Sequence, residues 1–198
     1  NAILKGKNVV LSASADYSET FDTDDELGDN IVGVLDNFSL FGGAAVSKST
    51  AKITVDAETS IVAYTFDASA TATTNSTILP LLSWLAGAAY AKADSTAIVS
   101  FAGQVNATRN VSISTLTDST VDAQVSSKQW SNSNALTSSS FAVAVSELYS
   151  ESTAEVTDTA VIQSGGNVSI TADTIDRNMT VAASNPGSDG AVSAAVAV

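Results

Sequence analysis

Five carboxylates stand within eight residues, Asp22, Asp24, Asp25, Glu26 and Asp29, with Gly28 among them. Calcium takes about six to eight oxygen ligands on a flexible loop, and acids of this density beside a glycine can supply them. The cluster is the candidate metal site, for calcium, and a solvated acidic loop is the alternative. Its spacing matches neither an EF-hand loop nor the glycine-rich nonapeptide calcium repeat. Paired carboxylates also cleave glycosides, but they need partner groups converging in a groove. Here there is no His, arginine stands only at Arg109 and Arg177, and the lysines are scattered. The abundant serines lack a histidine base, and a Ser–Lys pair has no motif. The chain is therefore not expected to be an enzyme, and it requires no cofactor beyond a possible calcium ion.

Two further residue classes could meet sugars. Asn-X-Ser/Thr sequons stand at Asn37, Asn75, Asn106, Asn110, Asn167 and Asn178. Each is a candidate glycosylation site in a host with the machinery. For Asn110 and Asn167 the competing role is a turn residue stacked in a ladder. Trp84, Trp130, Tyr17, Tyr64, Tyr90 and Tyr149 could form stacking platforms for glycans, but their spread along the chain favours packing under loops.

The elements that must position these groups are legible from alternation. The stretch 152–171, STAEVTDTAVIQSGGNVSIT, holds two runs with a period of two, the mark of half-buried strands. Ala154, Val156, Val168, Ile170 and Ala172 are expected to face inward. Gly165, Gly166 and Asn167 tolerate positive φ and so are expected to turn a corner. The pattern recurs: Ser95-Thr96-Ala97 precedes Asn110-Val111-Ser112-Ile113 by the fifteen residues that separate Ser152-Thr153-Ala154 from Asn167-Val168-Ser169-Ile170. Lys7-Asn8-Val9-Val10-Leu11 opens the chain in the same way. Ser49-Thr50-Ala51 begins an earlier copy, whose Asn-Val counterpart is degenerate around Tyr64. The run 78–91, ILPLLSWLAGAAYA, is too short for a membrane span, which needs about 20 residues. Pro80 would suit the first turn of a short helix or lateral insert packed on the body, with a strand leading into Gly87 as the alternative.

Composition narrows the class. Ala, Ser, Thr and Val dominate, aromatics are 6% and charged residues 15% of 198 residues. Such a chain fills a thin, repetitive core rather than a thick one. A mean hydropathy of +0.20 opposes disorder. The net charge of −13 disfavours nucleic acid and anionic membranes as partners. The absence of cysteine excludes disulfides and thiolate sites. The Ser-Thr-Ala triplets begin at 49, 95 and 152, intervals of 46 and 57 residues that fit no fixed-period helical or propeller array. They fit a single β-solenoid over 1–198, with coils of about 20 residues, like side chains stacked in columns and Ser/Thr outside. The fold class is thus all-β, a parallel β-helix with loop or short-helix excursions; a β-sandwich is the rival. The ending 191–198 resembles 142–145, so the chain is expected to stop in mid-repeat, as part of a longer protein or as a subunit completed by a neighbour.

The motifs Gly166-Asn167-Val168-Ser169-Ile170, Arg109-Asn110-Val111-Ser112-Ile113 and Lys7-Asn8-Val9-Val10-Leu11, preceded by alternating Ala/Val strands, resemble the repeat style of large secreted bacterial β-helical adhesins of the filamentous-haemagglutinin kind. The resemblance implies a right-handed parallel β-helix in an extracellular, cell-surface adhesin stalk or filament. End-to-end self-association and contact with host or matrix glycans would follow. A carbohydrate-binding or polysaccharide-degrading β-helix is the alternative, and an ice- or mineral-surface binder a more distant one, since threonine shows no strict TxT recurrence.

Overall fold

The computed structural model describes residues 2–21, 40–83, 86–128, 140–185 and 193–198. Ten strands follow in order: β1 (Ile3–Phe21), β2 (Leu40–Val55), β3 (Ser60–Ser83), β4 (Ala86–Phe101), β5 (Gln104–Ala107), β6 (Val111–Lys128), β7 (Ser140–Val156), β8 (Val161–Ser164), β9 (Val168–Asn185) and β10 (Ser193–Ala197). No helix occurs among the described residues. Every recorded strand pairing is parallel. The protein is all-β, built from two parallel sheets. Hairpin-connected sandwiches pair antiparallel, which separates this architecture from the rival expectation.

The first sheet holds β1, β3, β5 with β6, and β8 with β9; the second holds β2, β4, β7 and β10. The chain alternates between them, so each circuit places one long strand, or a split one, in each sheet. Four circuits stack. Adjacent rows are offset by 57 residues (Ile3 beside Ser60), 45 (Phe66 beside Val111) and again 57 (Val111 beside Val168). The 20-residue coil is therefore corrected. The strands reach 16 to 24 residues, and a full circuit takes about twice the expected length.

The expected repeats still fall into register. Val9, Phe66, Val111 and Val168 form one column, and Leu11, Ala68, Ile113 and Ile170 the next. Phe66 occupies the place of the degenerate Asn-Val copy. Its ring meets Phe101 of the opposite sheet at 5.6 Å between centroids, tilted by 51°, a favourable aromatic geometry. Ser49-Thr50-Ala51 lies beside Ser95-Thr96-Ala97. The third triplet is displaced by two residues, since Ser95 pairs with Ser150. A shift of two keeps each side chain on its face.

The run 78–91 is not a helix or lateral insert. β3 continues to Ser83 and β4 begins at Ala86, so the run is the end of one strand and the start of the next. The register slips between Ile78 and Leu81, around Pro80. Proline cannot donate to a ladder, and a bulge is where a central strand tolerates it. Ile78 is fully buried between the sheets.

The core has two apolar clusters. One gathers Ile61, Phe66, Val99, Phe101, Val105, Val111 and Ile113 with inward alanines. The other gathers Ile78, Val121 and Val125 with Ala89, Ala91, Ala93, Ala123, Ala142 and Ala144. Between them the interior is polar. Ser47, Ser49, Thr74, Ser76, Ser95, Thr115, Thr117 and Ser119 are all buried. The expectation that Ser and Thr stand outside is thus corrected: much of that complement fills the space between the sheets. Short side chains on both sheets bring hydroxyls within reach of one another, which meets their hydrogen-bonding demand without water.

Corners are repeated as faithfully as strands. Thr59 N donates to Asp56 O (2.9 Å) and, two circuits on, Ala160 N donates to Thr157 O (3.1 Å). Gly103 sits against such a corner; an added Cβ would lie 2.8 Å from Thr59 O and 3.0 Å from Asp56 O. At Gly165 a Cβ would lie 2.3 Å from Thr108 O, and at Gly166 2.4 Å from Asn110 Oδ1. Neither glycine adopts the left-handed backbone expected of it. They are needed for close approach to the corner stacked beneath them.

Candidate functional site

Three surfaces carry the chemistry of the described residues. The first is the outer face of the second sheet, where ion pairs bridge neighbouring rows. Lys48 Nζ lies 2.9 Å from Asp94 Oδ2, between β2 and β4, and Lys92 Nζ lies 3.0 Å from Glu147 Oε2, between β4 and β7. The Lys92 ammonium, hydrogen-bonded to Glu147, is held above the usual lysine range. Glu147 is held below the usual carboxylate range, first by Lys92 and then by the Tyr90 hydroxyl. Burial, followed by Glu147, pushes Tyr90 up. The Glu151 charge pushes Tyr149 up. Such exposed pairs fix register more than they stabilise.

The second surface is the outer face of the first sheet. Ser12, Ser69, Ser114 and Thr171 stand side by side across four rows. Along β3 the same face presents Ser69, Thr71, Thr73, Asn75 and Thr77. Acids punctuate it: Asp16, Thr73, Asp118 and Ile175 form one cross-row, in which Asp118 pairs with Arg177 one row on. The alternation of hydroxyls at i and i+2 is visible in the sequence. Its alignment across rows is not, because the offsets of 57, 45 and 57 residues must be known first.

The third is the uncovered inner face of the fourth circuit. In the third circuit β7 lies over β6, and Val111 and Ile113 are 1% and 0% exposed. In the fourth, β9 repeats the same residues, yet Val168 and Ile170 are 49% and 47% exposed. β10 covers only the other end, where Ser184 Oγ meets Ser140 Oγ at 2.6 Å and Ala182 packs on the second cluster.

The buried hydroxyl belt links these regions. Ser49 Oγ meets Thr74 Oγ1 at 3.2 Å, Ser95 pairs with Ser119, and Ser119 meets Ser150 at 2.8 Å. Ser150 then donates to Asp176 Oδ1 at 2.6 Å. The chain of contacts runs from row to row along the stack. It has no base or nucleophile-activating group, so its chemistry is structural.

The acidic cluster Asp22, Asp24, Asp25, Glu26 and Asp29 lies outside the described residues, as do Asn37, Trp84 and Trp130. Among the described residues no group of three His, Cys, Asp or Glu side chains could hold a metal. An open cavity of about 480 Å³ beside Ala2 is lined by Asp56, Glu58 and Thr59. The remaining sequon residues are not brought together. Asn106 is exposed on β5, and Asn75 is half-buried on the outer face. Asn110 and Asn167 occupy stacked corners, with Asn167 N donating to Asn110 Oδ1 at 3.1 Å. Asn178 lies in an inner column beside Val121, and its Oδ1 accepts from Ser146 Oγ at 2.6 Å. Tyr64 lies under the Arg109 guanidinium at 5.5 Å, a cation–π contact, whereas Tyr149 is 54% exposed on the charged outer face of the second sheet. Comparisons of the chain with protein-family models, with curated proteins and with solved structures find no match.

Proposed function

We propose that the chain is a shaft: a right-handed parallel β-solenoid that serves as an extracellular adhesin stalk or as a filament subunit at a cell surface. The observation that carries this reading is the unbroken parallel ladder through four rows of both sheets, with like residues stacked in columns. Stacking of this kind adds about 4.8 Å of length per circuit and needs no catalytic group. A net charge of −13 keeps such a surface soluble and away from polyanions. Both ends leave strand edges open, β1 and β2 at one and β8 and β9 at the other, so copies can join end to end.

Light scattering with negative-stain imaging, in calcium and in chelator, tests the role. Rods or head-to-tail chains are the expected result. If calcium alone governs them, the cluster at 22–29 is the next target for substitution. Compact particles indifferent to calcium and to concentration would refute self-assembly.

A further inference from the structure

We propose that the fourth circuit is an acceptor site for one extended polypeptide strand, which pairs in parallel with β7 over residues 147–156 and closes over Val168 and Ile170 of β9. The site is defined by what is already paired beside it. β10 runs parallel to β7, Ser193 beside Ser140 through Ala197 beside Ala144. Val198 N donates to Ala144 O (3.0 Å) and Ser146 N to Val198 O (2.9 Å). The pairing then ends. By the same alternation, the N–H and C=O groups of Leu148, Ser150, Ser152, Ala154 and Val156 point to the side where no strand lies among the described residues. An edge that offers donors and acceptors with a period of two is met by another extended backbone. A sugar or a small anion cannot match it.

The columns specify the occupant. Inward positions continue Ser49–Ser95–Ser150, Ala51–Ala97–Ser152, Ile53–Val99–Ala154 and Val55–Phe101–Val156. The occupant is therefore small or hydroxylic where it passes Asp176 and aliphatic or aromatic where it covers Val168 and Ile170. Its outward positions face Glu147, Glu151 and Glu155. On the opposite side Lys92 meets that row at Glu147, so a cation at an outward position is favoured. A rigid second copy fits less well: its β2 would stack on the row of β10, which fills only five positions of the seventeen in β7. A strand must complete that row first.

The probe is the peptide of this chain's own residues 92–101, KADSTAIVSF, which already pairs with 147–156 from the other side. It is added to the full chain and, separately, appended after Val198, where effective concentration replaces affinity. Hydrogen exchange at the amides of Leu148, Ser150, Ser152 and Ala154 is expected to slow at least about tenfold in either format. Ile170→Asp, at a side chain exposed in the free chain, is expected to abolish the protection while leaving exchange in β3 and β6 unchanged. A peptide with inward and outward residues exchanged should give none. No protection in both formats, or equal protection by the exchanged peptide or in Ile170→Asp, would overturn the proposal. The shaft role is read independently from particle length, so rods that capture no strand would refute the acceptor site alone.

Discussion

β6 and β9 carry nearly the same inward residues and differ in fate. Val111 and Ile113 are sealed by β7, whereas Val168 and Ile170, in the same columns and paired directly with them, are half exposed. Burial here depends on whether the opposite sheet supplies a strand in that row. Intrinsic strand preference, identical in the two, does not decide it. The apolar driving force therefore resides in the interior rows, and the fourth circuit is held mainly by its backbone ladder to the third.

The sharpest way to break this comparison is to truncate the same residue in both rows. Ile113→Ala is expected to lower stability by about 2–5 kcal/mol in denaturant unfolding, because the closed row cannot collapse around the cavity. Ile170→Ala is expected to cost less than about 1 kcal/mol, because nearly half of its side-chain surface is already in water. Equal losses would show that the fourth row is covered in solution.

Next in size is the corner. Gly103→Ala puts a Cβ 2.8 Å from Thr59 O in the second circuit. It should cost about 1–3 kcal/mol by thermal or denaturant unfolding, since backbone must move. The buried belt gives a smaller effect. Ser119→Ala removes the hydroxyl shared by Ser95 and Ser150 and should cost about 1 kcal/mol. Ser114→Ala, on the outer face, should stay within about 0.5 kcal/mol. A reversed order would place the hydroxyl belt outside.

The smallest effect is electrostatic. Lys92 is held above its ordinary range, so its contribution is complete below that range and disappears as pH rises through the raised value. Glu147 is held below its range, so its contribution is complete above that range and disappears as pH falls through the lowered value. The Tm difference between the parent and Lys92→Met should accordingly be small, flat across neutral pH, and shrink at both extremes. With no histidine in the chain, a step near neutrality would contradict this assignment.

Much of the strand architecture is legible in the sequence, for a physical reason: alternation is a local property, and the Asn-Val units mark equivalent positions in successive rows. Asn110-Val111 and Asn167-Val168 do fall into register. Circuit length is not local. A corner at 108–110 and a turn at 157–160 read alike in one dimension, although the first bends a row within one sheet and the second crosses between sheets. That ambiguity shortened the expected coil. The run 78–91 misleads because Pro80 suits a helix start as well as a bulge, and only the neighbouring rows decide between them. The inward hydroxyls were hidden for a related reason. Ser and Thr are expected outside unless a partner sheet brings an equal hydroxyl opposite, as Ser49 does for Thr74. Of the candidate site residues, Asn110 and Asn167 were legible as corner residues, while the uncovered face at Val168 and Ile170 depends on which strand is missing above it.

The parallel register is the claim on which everything else stands, and the cysteine-free chain allows it to be tested by introduced pairs. Ser69 and Ser114 are outward neighbours in adjacent rows, with Cα atoms about 4.8 Å apart, inside the disulfide range. S69C/S114C should oxidise readily to an intramolecular disulfide, and S69C/D122C, eight residues out of register, should not. Equal rates for the two pairs, or faster closure of the second, would contradict the stacked rows described above.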